Sequence, residues 1–232
     1  MFLRKLYELF CPIQIMLIEK FGAKRVRIVN FKYLFAKVIK KIQLPAIKDS
    51  NIDTTSRVCS ASQIVNSKLG KYSYIGNYCR LNSVVVGKFC SIADGCVIGG
   101  ASHPMEWVST SPVFHNGKNI LRKNFSTHSF QTNKETIIEN DVWIGSNCLI
   151  KSGVKIQNGA VVGMGSIVTK DIGPYEIWAG NPAKLIRKRF DDEKIKHLLQ
   201  INWWDWEEEM LTKNAKYFNN VNKLLKVKEE LK

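Results

Sequence analysis

The sequence predicts an all-β solenoid: a parallel β-helix of three short flat faces, with α-helical additions at its N- and C-terminal ends. Three observations predict it. Aliphatic side chains fall at Ile138, Ile144, Ile150, Ile156, Val162 and Val168, each six residues after the last. Leu69, Ile75, Leu81, Val86, Ile92 and Ile98 repeat the pattern earlier, with the step from Leu81 to Val86 one residue short. Between the two tracts the repeat breaks, because Ile98 and Ile138 stand forty apart, which is not a multiple of six.

A period of six belongs neither to a helix nor to a long strand. It suits a coil with one hexapeptide on each of three faces, the aliphatic residue pointing into a narrow prism. The residue four places later must then be small, and Val142, Cys148, Val154, Ala160, Ser166 and Ile172 stand there, with Ser73, Cys79, Cys90 and Cys96 in the earlier tract. Gly145 and Gly163 follow the aliphatic residue and are expected to ease tight corners. A single coil cannot bury its own face, so stability comes from stacking. The cysteines in the small slot read as compact apolar fillers rather than nucleophiles.

The length of 232 residues suffices for one sizeable core. A hydrophobic fraction of 45% marks a globular chain. The net charge of +15 implies an anionic partner. That charge is uneven: residues 1–48 hold eleven Lys or Arg against Glu8 and Glu19, a net of +9. Six cysteines without a CxxC pair favour a reducing compartment, and no secretory signal or membrane-spanning run is evident, so a cytoplasmic location is expected. Nucleic-acid binding would rest on charge alone, without a motif, and is not expected.

The expected organisation is a basic, amphipathic helical extension over residues 1–54, a β-helix over 55–186 with a loop at 99–135, and a helical region over 187–232. In the extension, Leu3, Leu6, Leu9, Phe10, Ile13, Met16 and Leu17 form one apolar set at helical spacing, and Phe31, Leu34, Phe35, Val38, Ile39 and Ile42 form another. Such helices either cap the open end of the prism or make peripheral contact with an anionic membrane at its inner face. In the tail, Trp203, Trp204 and Trp206 are expected to pack a helix against an oligomer, and residues 213–232 to form a terminal helix.

Loops as long as 99–135 inside a compact domain are usually functional or disordered, and the His, Trp, Phe and Pro of this one favour a fixed active-site loop. This one opens with Ser102-His103-Pro104 directly after a coil, where a rigid strand end can hold a base. His103 is placed where it could act as a base, the alternative being a plain surface histidine, and Glu106 could either orient it or form a salt bridge at the rim. His115 and His128 read as surface or loop-packing residues, and His197 as a solvated residue on a helix.

The hexapeptide tract, the SHPMEWVSTSPVF loop, NDVWIGSNCLI, GMGSIVTKDI, AGNPAKLIRKRF and the tail FDDEKIKHLLQINWWDWEEEML together resemble the hexapeptide-repeat acyltransferases. Within them they resemble the xenobiotic acyltransferase branch, which includes chloramphenicol and streptogramin acetyltransferases and related O-acetyltransferases. The resemblance covers residues 55–212. It implies a left-handed coil, a homotrimer with active sites at the subunit interfaces, and acetyl-CoA as co-substrate with no metal. It matches His103 to the family's general base. It assigns CoA contacts to Trp143, Ser146, Met164, Gly165, Thr169, Lys170, Lys184 and Arg187. Related sugar acetyltransferases carry Arg where this chain has Lys184, and a lysine meets a phosphate as a point charge. Asn181-Pro182 is expected to lead the chain out of the prism into the final helix.

The function expected is acetyl transfer to a hydroxyl of a sugar in a surface polysaccharide or its precursor. An antibiotic hydroxyl and the nitrogen of an amino sugar are alternative acceptors among carbohydrates and small molecules. A metal-dependent hydratase on the same fold needs two closely spaced histidine ligands, whereas His103, His115 and His128 are twelve and thirteen apart. A non-catalytic glycan-binding subunit would have no need of the His103 loop or the CoA elements.

Overall fold

The computed structural model describes residues 31–230. They divide into two units, with the break between Gln43 and Leu44. The first unit contributes helix α1 (Phe31–Ile42), which takes up the second apolar set of the extension. The first set, at residues 3–17, lies outside the described residues.

The second unit is a parallel β-helix. Its strands form three sheets of six, five and seven members, and parallel neighbours stand three strands apart in chain order, except Val161–Val162 and Glu176–Gly180, which stand two apart. The repeat residues form three continuous ladders through the interior. On the first face Ile47, Ile64, Leu81, Ile98, Ile150 and Val168 pair in register. On the second, Ile52, Leu69, Val86, Ile138, Ile156 and Ile172 do so. On the third, Val58, Ile75, Ile92, Ile144, Val162 and Trp178 complete the triangle. From Ile64 to Ile172 every aliphatic member is at most 3% exposed, so each contributes on the order of 1.5–3 kcal/mol of burial.

The coil begins at Ala46, nine residues before the boundary of 55 expected from the sequence. The first coil carries Ile47, Ile52 and Val58 at steps of five and six. Ile47 is 46% exposed and Ile52 and Val58 are only partly buried, because their strands are the terminal members of the three sheets. Their polar neighbours hide the repeat. The short step at Leu81–Val86 has the same explanation as Ile47–Ile52 and Ile64–Leu69: in the early coils the corner between first and second faces takes five residues.

The small slot does more than fill space. Ser62 Oγ, Cys79 Sγ, Cys96 Sγ and Cys148 Sγ, stacked in one column, donate to the carbonyls of Gly76, Ala93, Gly145 and Gly163 at 2.7, 3.1, 3.2 and 3.1 Å. Cys90 Sγ donates likewise to Glu139 O at 2.9 Å. At these positions the slot holds a small donor, which corrects the reading of these cysteines as plain apolar filler. Gly145 also has a different reason from the one expected. A Cβ there would stand 2.5 Å from Met164 N, so the glycine permits close stacking of coils. The left-handed conformation falls two residues on, at Asn147 (φ 59°) and Gly165 (φ 70°).

Asn181-Pro182 is a cis peptide that turns the chain back, not into a helix. Ala183–Lys188 runs antiparallel to Glu176–Gly180 and closes the third sheet. Helices α2 (Asp192–Ile201), α3 (Glu208–Asn214) and α4 (Val221–Glu230) follow. Asp191 caps α2 by accepting from Lys194 N at 2.8 Å. The tryptophans pack the tail on the chain's own coil, at the corner between second and third faces. Trp203 meets Phe89 at 4.9 Å, and Phe89 stacks on Tyr72 at 5.1 Å. Lys88 Nζ pairs with Asp205 at 2.9 Å.

Candidate active site

The loop leaves the first face after Val97–Gly99 and returns to the second at Thr136–Ile138, replacing one corner. Its two ends are tied at the base. Ser102 N and Oγ donate to Thr132 O at 2.7 and 3.0 Å, and Ala101 bridges to Asn133. Farther out, Asn116 N donates to His128 O at 2.8 Å and Phe125 N to Val113 O at 2.6 Å. The excursion is thus a structured arm rather than a slack connection.

His103 stands at the base of this arm, beside the buried Pro104, with its own ring exposed. Its Nδ1 lies 2.8 Å from Thr110 O. A carbonyl can only accept, so the neutral ring carries its proton on Nδ1 and leaves the Nε2 lone pair bare. That is the tautomer a general base needs. Its partner is a backbone oxygen seven residues on, whereas the sequence left Glu106 open as orienter or rim salt bridge. Backbone carbonyls leave no mark in a sequence, so Thr110 could not have been found there.

Glu106 instead lines a cleft of about 680 Å³ with Trp107, Val108, Phe114 and His128. Trp107 sets its ring edge-on against His128 and Phe130, both at 5.7 Å. Val108 and Met105 are exposed, so the arm presents apolar surface near the base. His115 is buried, with Nδ1 2.8 Å from Asn116 O and its ring 5.8 Å from Phe130. His115 and His128 hold the arm's two strands together through a backbone bridge. His197 is exposed on α2. Among the described residues, no three His, Cys, Asp or Glu side chains gather as a metal-binding group.

The residues that the resemblance assigns to CoA fall in three places. Trp143 points outward from the third face and is 55% exposed. Ser146, Met164 and Gly165 meet at the corner between third and first faces, where Gly165 N donates to Ser146 O at 2.8 Å. Met164 is 80% exposed, and a Cβ on Gly165 would meet nothing, so this corner is an open, flat strip. Thr169 and Lys170 are exposed one face farther on, after Ile167–Val168. Lys184 and Arg187 are exposed on the closing strand, opposite Ala179 and Ile177. His103 belongs to the corner between first and second faces, so within one chain it is not beside Trp143, Ser146 or Met164.

Two further groups were not legible in the sequence. Ser166 Oγ donates to Gly163 O at 2.5 Å and accepts from Gly180 N at 3.1 Å, fixing the turn before Lys184 from inside. Arg189 donates to Asp141 Oδ2 at 3.1 Å and Gly159 O at 2.7 Å, and lies over the rings of Tyr175 and Phe190. Burial pushes the Asp141 carboxyl upward, and the Arg189 guanidinium pulls it back.

Known proteins share this pattern. Residues 40–104 match the family described as GlmU-like, C-terminal hexapeptide, and residues 135–170 that described as hexapeptide repeat of succinyl-transferase. A chloramphenicol acetyltransferase of Escherichia coli is 40% identical over 167 residues, which is 63% of this chain and 79% of the relative. The galactoside O-acetyltransferase of Escherichia coli (strain K12) is 38% identical over 128 residues, 54% of this chain and 58% of the relative. The crystal structure of the polySia specific acetyltransferase NeuO superposes with a TM-score of 0.46 at 28% identity, over 64% of this chain and 70% of that one. With its ladders of hexapeptide residues, the arm that interrupts them and its 40% identity to a chloramphenicol acetyltransferase over 79% of that relative, the chain belongs to the xenobiotic acetyltransferase branch of the hexapeptide-repeat acyltransferases and is an acetyltransferase.

Proposed function

We propose that this chain transfers an acetyl group from acetyl-CoA to a hydroxyl of a sugar in a surface polysaccharide or its precursor, with His103 as general base. The observation that carries the chemistry is the Nδ1–H bond to Thr110 O, which leaves Nε2 free to accept a proton. Nε2 takes the proton from the acceptor hydroxyl as its oxygen attacks the thioester carbonyl. When the carbon–sulfur bond breaks, the departing thiolate takes that proton back from the imidazolium, so the enzyme ends as it began. A thioester is already activated, so the protein has to supply position and a base.

The residues assigned to CoA suit it. The polyanion would meet the exposed cations Lys170, Lys184 and Arg187. Its uncharged arm would lie along the open strip of Met164 and Gly165, and Trp143 offers an exposed ring face. Because His103 and Ser146 belong to different corners of one prism, two copies of the chain must meet to join them. This supports a homotrimer with interfacial sites.

The sugar acceptor rests on the galactoside-named relative and on the basic N-terminal extension. A second reading, an antibiotic hydroxyl, is favoured by the 40% identity to a chloramphenicol acetyltransferase across 79% of that relative. An amino-sugar nitrogen is a third acceptor that the same base could serve. We place the enzyme in the cytoplasm, where acetyl-CoA is made.

The test is release of free thiol from acetyl-CoA with chloramphenicol, streptogramin A, common sugars and amino sugars as acceptors. His103→Ala should lower turnover on the best acceptor by about 100- to 10,000-fold, while calorimetric CoA binding stays unchanged. A wild-type rate in that variant would remove His103 from the role. Turnover on the antibiotics alone would replace the sugar reading.

A further inference from the structure

We propose that α1 is a membrane-docking helix whose partner is an anionic phospholipid surface. At about 100° per residue, Phe31, Leu34, Phe35, Val38, Ile39 and Ile42 fall within an arc of roughly 140°. Lys32, Lys37, Lys40 and Lys41 all fall outside that arc. The two kinds of residue are fully separated around the helix. On the apolar arc, Leu34, Val38 and Ile42 are 44%, 53% and 70% exposed, and Leu44 just beyond the helix is 79% exposed. Three large aliphatic side chains in a line, facing out, are a surface in search of an apolar partner.

The charge says which partner. From Lys20 to Lys48 the chain carries nine Lys or Arg and no Asp or Glu. A protein face as a partner would need only the apolar arc, and a nucleic acid would need only the charge. An interfacial helix on anionic lipid uses both at once, with its apolar side in the acyl boundary and its lysines at the headgroups. No helix among the described residues is long and apolar enough to cross a membrane. The proposal does not depend on the identity of the acceptor. It would, however, bring the active site to a substrate held at that surface.

The experiment is co-sedimentation of the full chain with vesicles of phosphatidylcholine, with or without phosphatidylglycerol, and it reads no catalysis. The full chain should pellet with the anionic vesicles at low salt and be released by high salt. Lys40→Gln with Lys41→Gln should weaken that partition by roughly 30-fold, given the usual contribution of each cation near the surface. Leu34→Glu with Val38→Glu should reduce it to the level of neutral vesicles, with the melting temperature unchanged. The proposal is overturned if the full chain stays in the supernatant, or if the Glu variant pellets as the parent does. It is equally overturned if the Glu variant melts several degrees lower, because the apolar arc would then be packed against protein as a cap.

Discussion

His103 is set by a single backbone carbonyl. Thr110 O holds Nδ1 at 2.8 Å, so the tautomer follows from the arm's path and not from a charged neighbour. Cys90 shows the opposite situation, a titratable group that the fold silences. Burial pushes its thiol from the ordinary value of 9.0 up to about 12. The folded value exceeds the unfolded one, so Cys90 supports the fold below pH 9 and that support is lost as pH rises from about 9 toward 12. By pH 10 the loss is about 1.4 kcal/mol. In urea titrations at pH 8 and pH 10, Cys90→Ala should therefore show the smaller drop in midpoint. An equal drop in variant and parent would show that Cys90 does not titrate against the fold. The sequence showed that Cys90 had to be small, because its slot in the six-residue pattern faces the prism. It did not show the donor role, since the acceptor, Glu139 O, is 49 residues away across the arm.

At the scale of elements, the corner between second and third faces organises the tail. Tyr72, Phe89, Asp141 and Tyr175 take left-handed φ values of 56°, 58°, 56° and 56° there. Each such residue costs about 1–2 kcal/mol of backbone strain. The rings this presents to Trp203 and Phe190 supply burial that offsets the cost. Arg189 fastens the end of the closing strand to the same corner through Asp141 and Gly159. Both partners of the ion pair are about 30% exposed, so its value is below that of a fully buried pair. Arg189→Ala should cost about 2–3 kcal/mol, which a denaturant midpoint would register, and should leave CoA affinity nearly as it was. A variant as stable as the parent would mean that the aromatic contacts alone dock the tail. The sequence placed a helix ahead of the tryptophans but not this seat. The corner residues lie in four different coils, and only the stacking brings them into one column.

For the whole molecule, the separation of His103 from Ser146 and Met164 onto different prism corners has a consequence for assembly. If the proposed site is correct, one chain is incomplete. Sedimentation equilibrium should give three times the 26.5 kDa chain mass in the active fraction. An active monomer would overturn both the interfacial site and the trimer. By itself, the sequence determined the β-helix, because a period of six leaves only one way to bury Ile138, Ile144 and their successors. It also located the arm, since Ile98 and Ile138 cannot be consecutive steps, and it singled out His103 at the arm's edge. Only the tertiary structure decided that Thr110 holds that histidine, that the cysteine column donates hydrogen bonds, and that the tryptophans rest on the chain's own coil. The division has a physical cause. Periodic burial is a one-dimensional property that each hexapeptide records in its own residues. A contact between a side chain and a distant carbonyl or corner exists only after the coils have stacked.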